Sequence, residues 1–217
     1  MKKILLTIMK LAAVLVLFAT STFAFSEGVD YMKLDEPIPN ADKTLIKVFS
    51  YDCPFCYKYD KSVTPMVVKQ LDGILTFKPF HLKTKGKYGK EASELFAALI
   101  LKDSDSDIKP TDEKSLFKKA KMAYYGAYHD KKERWDSGAE SFIAFGLQAS
   151  GLSESEFEEL KNSQETKDIV SQWEASYEVA KIQGVPAFVV NGKYLIYTKS
   201  ITSIDAMVNL IKELANK

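Results

Sequence analysis

Cysteine, histidine and arginine are all scarce in this chain. Of 217 residues two are cysteines and two are histidines, and Arg134 is the lone arginine. Cys53 and Cys56 stand together in the stretch YDCPFCY. One bridge is too few for a disulfide scaffold, and a chain of this length buries a core without staples. A structural zinc wants four ligands, and His81 and His129 are too far apart to resemble the usual histidine pair. Covalent haem attachment wants CxxCH, and Tyr57 stands where that histidine would be. A disulfide closing so small a loop removes little entropy from the unfolded chain, which makes a purely structural staple a poor reading as well.

An excess of one charge is missing too. Residues 1–24 contribute three lysines and no acid, so the remaining 193 residues carry 27 basic and 29 acidic side chains. Such a balance excludes a polyelectrolyte and offers nothing to a nucleic-acid backbone. Asp103, Asp105 and Asp107 are spaced like the start of a calcium loop. Ile108 replaces the glycine of that loop and Lys114 its final glutamate, so a solvated acidic loop is the better reading. Long apolar runs are also lacking. Leu11 to Ala19 is uninterrupted but short of the about 20 residues that span a bilayer. With Lys2, Lys3 and Lys10 before it and small residues at Thr22 and Ala24 after it, residues 1–24 read as a secretory signal peptide cleaved before Phe25. No cysteine near that point offers a lipid anchor.

What is present is an ordered series of signals. Residues 25–43 read as an arm with at most one short edge strand. TLIKVFSY (44–51) is a β-rich strand that runs directly into DCPFCYKYDKSVTPMVVKQL. There Asp52 or Cys53 caps a helix, Pro54 suits its first position, and Pro65 breaks it midway. ILTFKPFHL (74–82) reads as a second strand with Pro79 as a blemish. Residues 86 to 182 show helical periodicity in pieces. These are 90–101, then 111–128 with Thr111 as cap, 139–150, 153–160 with a capping box from Ser153 to Glu156, and 163–182. PAFVVNGKYLIYT (186–198) reads as a hairpin turning at Asn191–Gly192, and 202–217 as a closing amphipathic helix. Strands on both sides of a helical block predict one sheet interrupted by an insertion. The aromatic stretch 122–129 and Trp135 read as core before peptide surface, and His81 and His129 as structural or exposed.

Redox chemistry is what remains for the cysteine pair. A thiolate is the reactive form, and a cysteine at a helix N-terminus faces unpaired N–H groups and the positive end of the dipole. Cys53, at the strand-to-helix junction, is expected to be exposed and to meet the substrate. Cys56, about one turn on, is expected to be more buried and to resolve the intermediate.

A strand leading into CxxC and a helix resembles the thioredoxin superfamily, and QGVPAFVVNG supplies its second piece: Val185–Pro186 stands where that superfamily keeps a cis-proline. FSYDCPFCYKY, GVPAFVVNGKY and the helices between them resemble, in order and spacing, the DsbA-like periplasmic thiol oxidases. The resemblance implies an α/β thioredoxin-like fold with an inserted α-helical domain. The thioredoxin-like part would be 25–85 and 166–217, and the insertion 86–165. It implies catalytic Cys53 and Cys56, an active-site dipeptide Pro54–Phe55, and a substrate groove shaped by Val185 and Pro186. It implies no metal and no cofactor beyond the Cys53–Cys56 disulfide. It further implies that this disulfide is donated to reduced exported proteins through a mixed disulfide at Cys53, with reoxidation by a DsbB-like quinone-linked membrane protein. The short N-terminal arm argues for a monomer. A reductase or isomerase kept reduced by another partner, and a non-catalytic peptide-binding chaperone, are the competing readings.

Two departures stand out. The best-known members carry histidine where this chain has Phe55, which neither donates a hydrogen bond nor carries charge, so helix N–H groups and lysines must stabilise the Cys53 thiolate. CPFC also occurs in the DsbL branch of the family. Family members often carry an acid six positions before the first cysteine, where this chain has Lys47. Pointing inward, that cation would favour a thiolate; pointing outward, it is an ordinary strand lysine.

Overall fold

The computed structural model describes residues 25–217; the signal-peptide reading of 1–24 lies outside the described residues. Five strands form one sheet in the order β1-β5-β4-β2-β3. They are β1 (Tyr31–Lys33), β2 (Thr44–Phe49), β3 (Thr76–His81), β4 (Ala187–Val190) and β5 (Tyr194–Ile196). The β2–β3 pair is parallel and the other pairs are antiparallel. The arm contributes a single short strand, β1, at one edge, as expected. Pro79 lies in β3 at the other edge, where a missing N–H leaves no ladder bond unmade.

Period-two alternation divides the sheet's side chains between two cores. Leu45, Phe188 and Val190 join one core with Val67, Leu71 and the closing helix residues Leu210, Ile211 and Leu214. Ile46, Val48, Ala187 and Val189 join the other with Val179 and the helical block. Asn191 and Gly192 both have positive φ, 53° and 67°, the conformation a tight hairpin needs.

The first long helical stretch breaks where Pro65 predicts. Helix α1 (Pro54–Ser62) ends at Val63, and α2 (Thr64–Gln70) starts with the proline in its first turn. After β3 come α3 (Gly89–Ser104), α4 (Leu116–Tyr125), α5 (Ala139–Ser150), α6 (Glu154–Asn162), α7 (Gln164–Gln172) and α8 (Ala175–Gln183). The hairpin follows, and then α9 (Ile204–Ala215) with Ser203 as cap. Helix α3 is the axis of the block, with Ala92, Leu95, Phe96 and Leu99 fully buried and α4, α5, α6 and α7 packed around it. The capping box at Ser153 and Glu156 is formed.

Three expectations require correction. The helix read from Thr111 begins at Leu116, and Ser115 caps it. The cause is Asp103, which is not part of a solvated acidic loop but lies buried in the last turn of α3, and whose carboxylate accepts from Ser115 Oγ (2.7 Å) and from the backbone N–H groups of Leu116 (2.9 Å) and Phe117 (3.1 Å). That carboxylate, with Ser115 Oγ accepting from the N–H of Lys118, satisfies the helix start. The single helix read over 163–182 is two, α7 and α8, parted at Trp173 and Glu174. Trp173 is buried, its ring 6.4 Å from that of Phe80.

Candidate active site at the start of the first helix

Helix α1 opens at the sulfur itself. Cys53 is its N-cap, in extended conformation, and Pro54 takes the first helical position. The Cys53 Sγ accepts the backbone N–H of Cys56 at 3.1 Å, satisfying one of the orphan donors of a helix start. Its own S–H donates to the carbonyl of Val185 at 3.3 Å. The Val185–Pro186 peptide is cis, as expected. The two stretches that sequence separates by more than 130 residues therefore meet at one sulfur.

Cys53 is only 2% exposed, which corrects the expectation of an open sulfur. Cys53 does stand at the helix start, but the carbonyl preceding the cis-proline lies against it and shields it. Cys56 is fully buried, as expected. The two thiols differ sharply in acidity. The hydrogen bond from the Cys56 thiol, the Cys56 backbone N–H and the positive charge of Lys85 hold the Cys53 thiol below its ordinary value against burial and Asp52. Burial, and then the bond and charge of Cys53, push the Cys56 thiol well up, with Lys47 opposing. One sulfur is prepared to be a thiolate and the other to keep its proton.

The lysines left unidentified by sequence are thereby named: Lys85 acts on Cys53 and Lys47 on Cys56. Lys85 lies 3.5 Å from Asp52, and its carbonyl accepts from Ser50 Oγ at 3.3 Å, which ties its loop to the end of β2. Of the two orientations open to Lys47, the inward one is observed. It is 1% exposed, and its Nζ donates to Asp60 Oδ1 at 2.6 Å and Thr64 Oγ at 3.1 Å. Asp60 also meets Lys121 Nζ at 3.1 Å and the Tyr125 hydroxyl at 3.2 Å. Burial raises the Asp60 carboxyl, but Lys121 and Lys47 outweigh it and hold the group at about 2.

Phe55 is 60% exposed, with Lys58 Nζ 5.5 Å from its ring centroid. The aromatic stretch is core for the most part: Tyr124, Tyr125 and Trp135 are buried. It nevertheless grips α1 from above. Tyr57 stacks on Tyr125 with centroids 5.1 Å apart and donates to Asp130 Oδ2 at 2.8 Å. His129 lies against both rings, its centroid 5.8 Å from that of Tyr57 and 6.3 Å from that of Tyr125. His81 is wholly buried, with Nδ1 2.8 Å from Ser93 Oγ, and burial pushes it down to about 3. Neither histidine bonds a sulfur. Among the described residues no three of His, Cys, Asp and Glu are grouped to hold a metal.

Sequence reasoning missed Asp60, Lys85 and Lys121. Asp60 was within reach, since it stands four residues after Cys56 on the same helical face. The other two carry no local signal. Lys121 is buried only because α4 lies across α1, and Lys85 approaches Cys53 only through the turn after β3.

A family model described as Thioredoxin matches residues 38–213. The thiol:disulfide interchange protein DsbL of Escherichia coli O6:H1 is 61% identical over 213 residues, covering 97% of this chain and 95% of the relative. The chain belongs to the DsbA-like family of thiol:disulfide interchange proteins. It is a thiol:disulfide oxidoreductase with the thioredoxin-like fold of that family. Within the DsbA-like family, identity to the thiol:disulfide interchange protein DsbA of Salmonella typhimurium is 30%, with 96% of this chain and 93% of that protein covered. The crystal structure of DsbL from Salmonella enterica serovar Typhimurium superposes with a TM-score of 0.88 at 61% identity. It covers 89% of this chain and 98% of that one.

Proposed function

We propose that this chain is a periplasmic oxidase that donates the Cys53–Cys56 disulfide to reduced exported proteins. The observation that carries the direction is the asymmetry of the two sulfurs. A low-lying Cys53 thiolate is a good leaving group and a stabilised product, so the dithiol form is favoured over the disulfide.

In the first step a substrate thiolate attacks Cys53 Sγ. A substrate–Cys53 disulfide forms, the Cys53–Cys56 bond breaks, and Cys56 leaves as a thiolate that takes up a proton in its buried site. In the second step another substrate thiolate attacks the substrate sulfur, and Cys53 departs as the stabilised thiolate. The substrate is oxidised by two electrons and the protein is left as the dithiol. The Val185 carbonyl beside Cys53 offers an acceptor to the backbone of a bound peptide, and Phe55 offers it an exposed apolar face. Val185 and Pro186 therefore serve as substrate-binding residues, Pro54 and Phe55 as the active-site dipeptide, and Lys47 as the electrostatic tuner of Cys56.

On this reading residues 25–85 and 166–217 carry the redox fold, and 86–165 forms the helical insertion over it. Residues 1–24 direct export. The protein acts as a monomer without a metal or bound cofactor, and a DsbB-like quinone-linked membrane protein restores its disulfide.

Trapping tests the reading. Cys56→Ser should accumulate mixed disulfides with exported proteins, separable on non-reducing gels, whereas Cys53→Ala should give none and lose activity. Wild-type protein trapped with an alkylating agent in the cell should be mostly disulfide. Recovery mostly as dithiol would point to a reductase or isomerase. Full function of Cys53→Ala would point to a chaperone.

A further inference from the structure

The charged cluster beneath the sulfurs holds one more cation than anion. Asp60 is buried, and its two oxygens are divided. Lys47 of β2 takes Oδ1 at 2.6 Å, and Lys121 of α4 takes Oδ2 at 3.1 Å. Tyr125, also of α4, donates to Oδ2, and Thr64 of α2 accepts from Lys47. Both lysines are themselves buried. A carboxylate and an ammonium group removed from water are compensated only when paired well. Here one carboxylate serves two ammonium groups. Burial disfavours the charged form of Lys121, and only Asp60 opposes it. A disulfide is neutral and does nothing for the surplus cation. A thiolate at the head of α1 answers it.

We propose that Lys121, supplied by the helical insertion, is a positioning residue for the redox couple: by sharing Asp60 with Lys47 it leaves one positive charge in surplus below the sulfurs, and the Cys53 thiolate of the reduced form answers that surplus. The insertion thereby sets how oxidising the disulfide is, through a residue that touches neither sulfur. Helix α1 is the link: Asp60, which holds both lysines, is buried on it four residues, about one turn, after Cys56.

The inference rests on the oxidase reading. The wild-type equilibrium with glutathione tests that reading, and the difference between variant and wild type tests this one. Lys121→Met keeps the volume and removes the charge, leaving Asp60 to Lys47 alone. Its equilibrium constant for oxidising glutathione should fall by about tenfold, which is about 30 mV for a two-electron couple. Lys119→Met, an exposed neighbour on the same helix, should stay within about twofold of wild type. Lys121→Arg should preserve the wild-type constant. Asp60→Asn should move it the opposite way, and the double variant Lys121→Met with Asp60→Asn, which restores the net charge, should return it toward wild type. A Lys121→Met protein that loses thermal stability equally in both redox forms while its constant stays within about twofold would overturn the proposal. Where Lys121→Met does not fold, the double variant decides: a constant near wild type supports the proposal, and one lowered by about tenfold overturns it.

Discussion

The sulfur of Cys53 is prepared by neighbours of different kinds: a thiol, a backbone N–H and a cation. Lys85 is the one of them that a single substitution removes without touching α1. Lys85→Gln should raise the Cys53 thiol, because it deletes the cation and also frees Asp52, whose charge opposes the thiolate. Lys85 is partly exposed, so the shift should shrink as salt rises. Thiolate absorbance followed against pH at two ionic strengths measures both effects. Phe55 calls for a different test. An exposed ring contributes little to folding, so Phe55→Ala should leave stability within about 0.5 kcal/mol in denaturant unfolding. Its consequence should be confined to the rate of mixed-disulfide formation. The two cysteines and the residues proposed to meet substrate beside them, Phe55, Val185 and Pro186, were legible in the sequence because motif and spacing carry them. Lys85, Asp60 and Lys121 were not, because their roles exist only once separate elements meet.

At the scale of elements, local chemistry predicts well where the chain satisfies itself. The strand into α1, the break at Pro65 and the Asn191–Gly192 hairpin all follow from neighbouring residues. So does the Ser153–Glu156 capping box. Prediction failed where a distant group intervened, as at Ser115, whose helix start depends on Asp103 twelve residues back. Asp103→Ala should therefore do more harm than loss of an ordinary cap. It leaves the Ser115 O–H and the backbone N–H groups of Leu116 and Phe117 without an acceptor, and thermal unfolding should register about 1–3 kcal/mol. Gly192 makes the complementary case. A Cβ there would lie 2.5 Å from the Ile38 carbonyl, at a φ of +67°. Gly192→Ala should accordingly destabilise the hairpin and the arm it touches by about 1 kcal/mol or more, with the cysteine chemistry unchanged.

For the whole molecule the decisive quantity is the stability of the dithiol form relative to the disulfide form. Cys53 titrates lower in the folded dithiol than in the unfolded chain, so its stabilisation is complete above the ordinary thiol value and is lost as pH falls through the folded value. Cys56 titrates higher when folded, so its contribution is present below the ordinary value and is lost as pH rises. Groups remote from both the sulfurs and the Asp60 cluster act alike in both forms. The stability gap should thus widen from acid toward the ordinary thiol range and narrow beyond it, as paired denaturant titrations across pH will show. The reduction potential of the Cys53–Cys56 couple, set by equilibration with glutathione, tests the central claim most directly. A disulfide donor with a stabilised Cys53 thiolate should lie above about −180 mV, the range of isomerases. A value at or below that would contradict it.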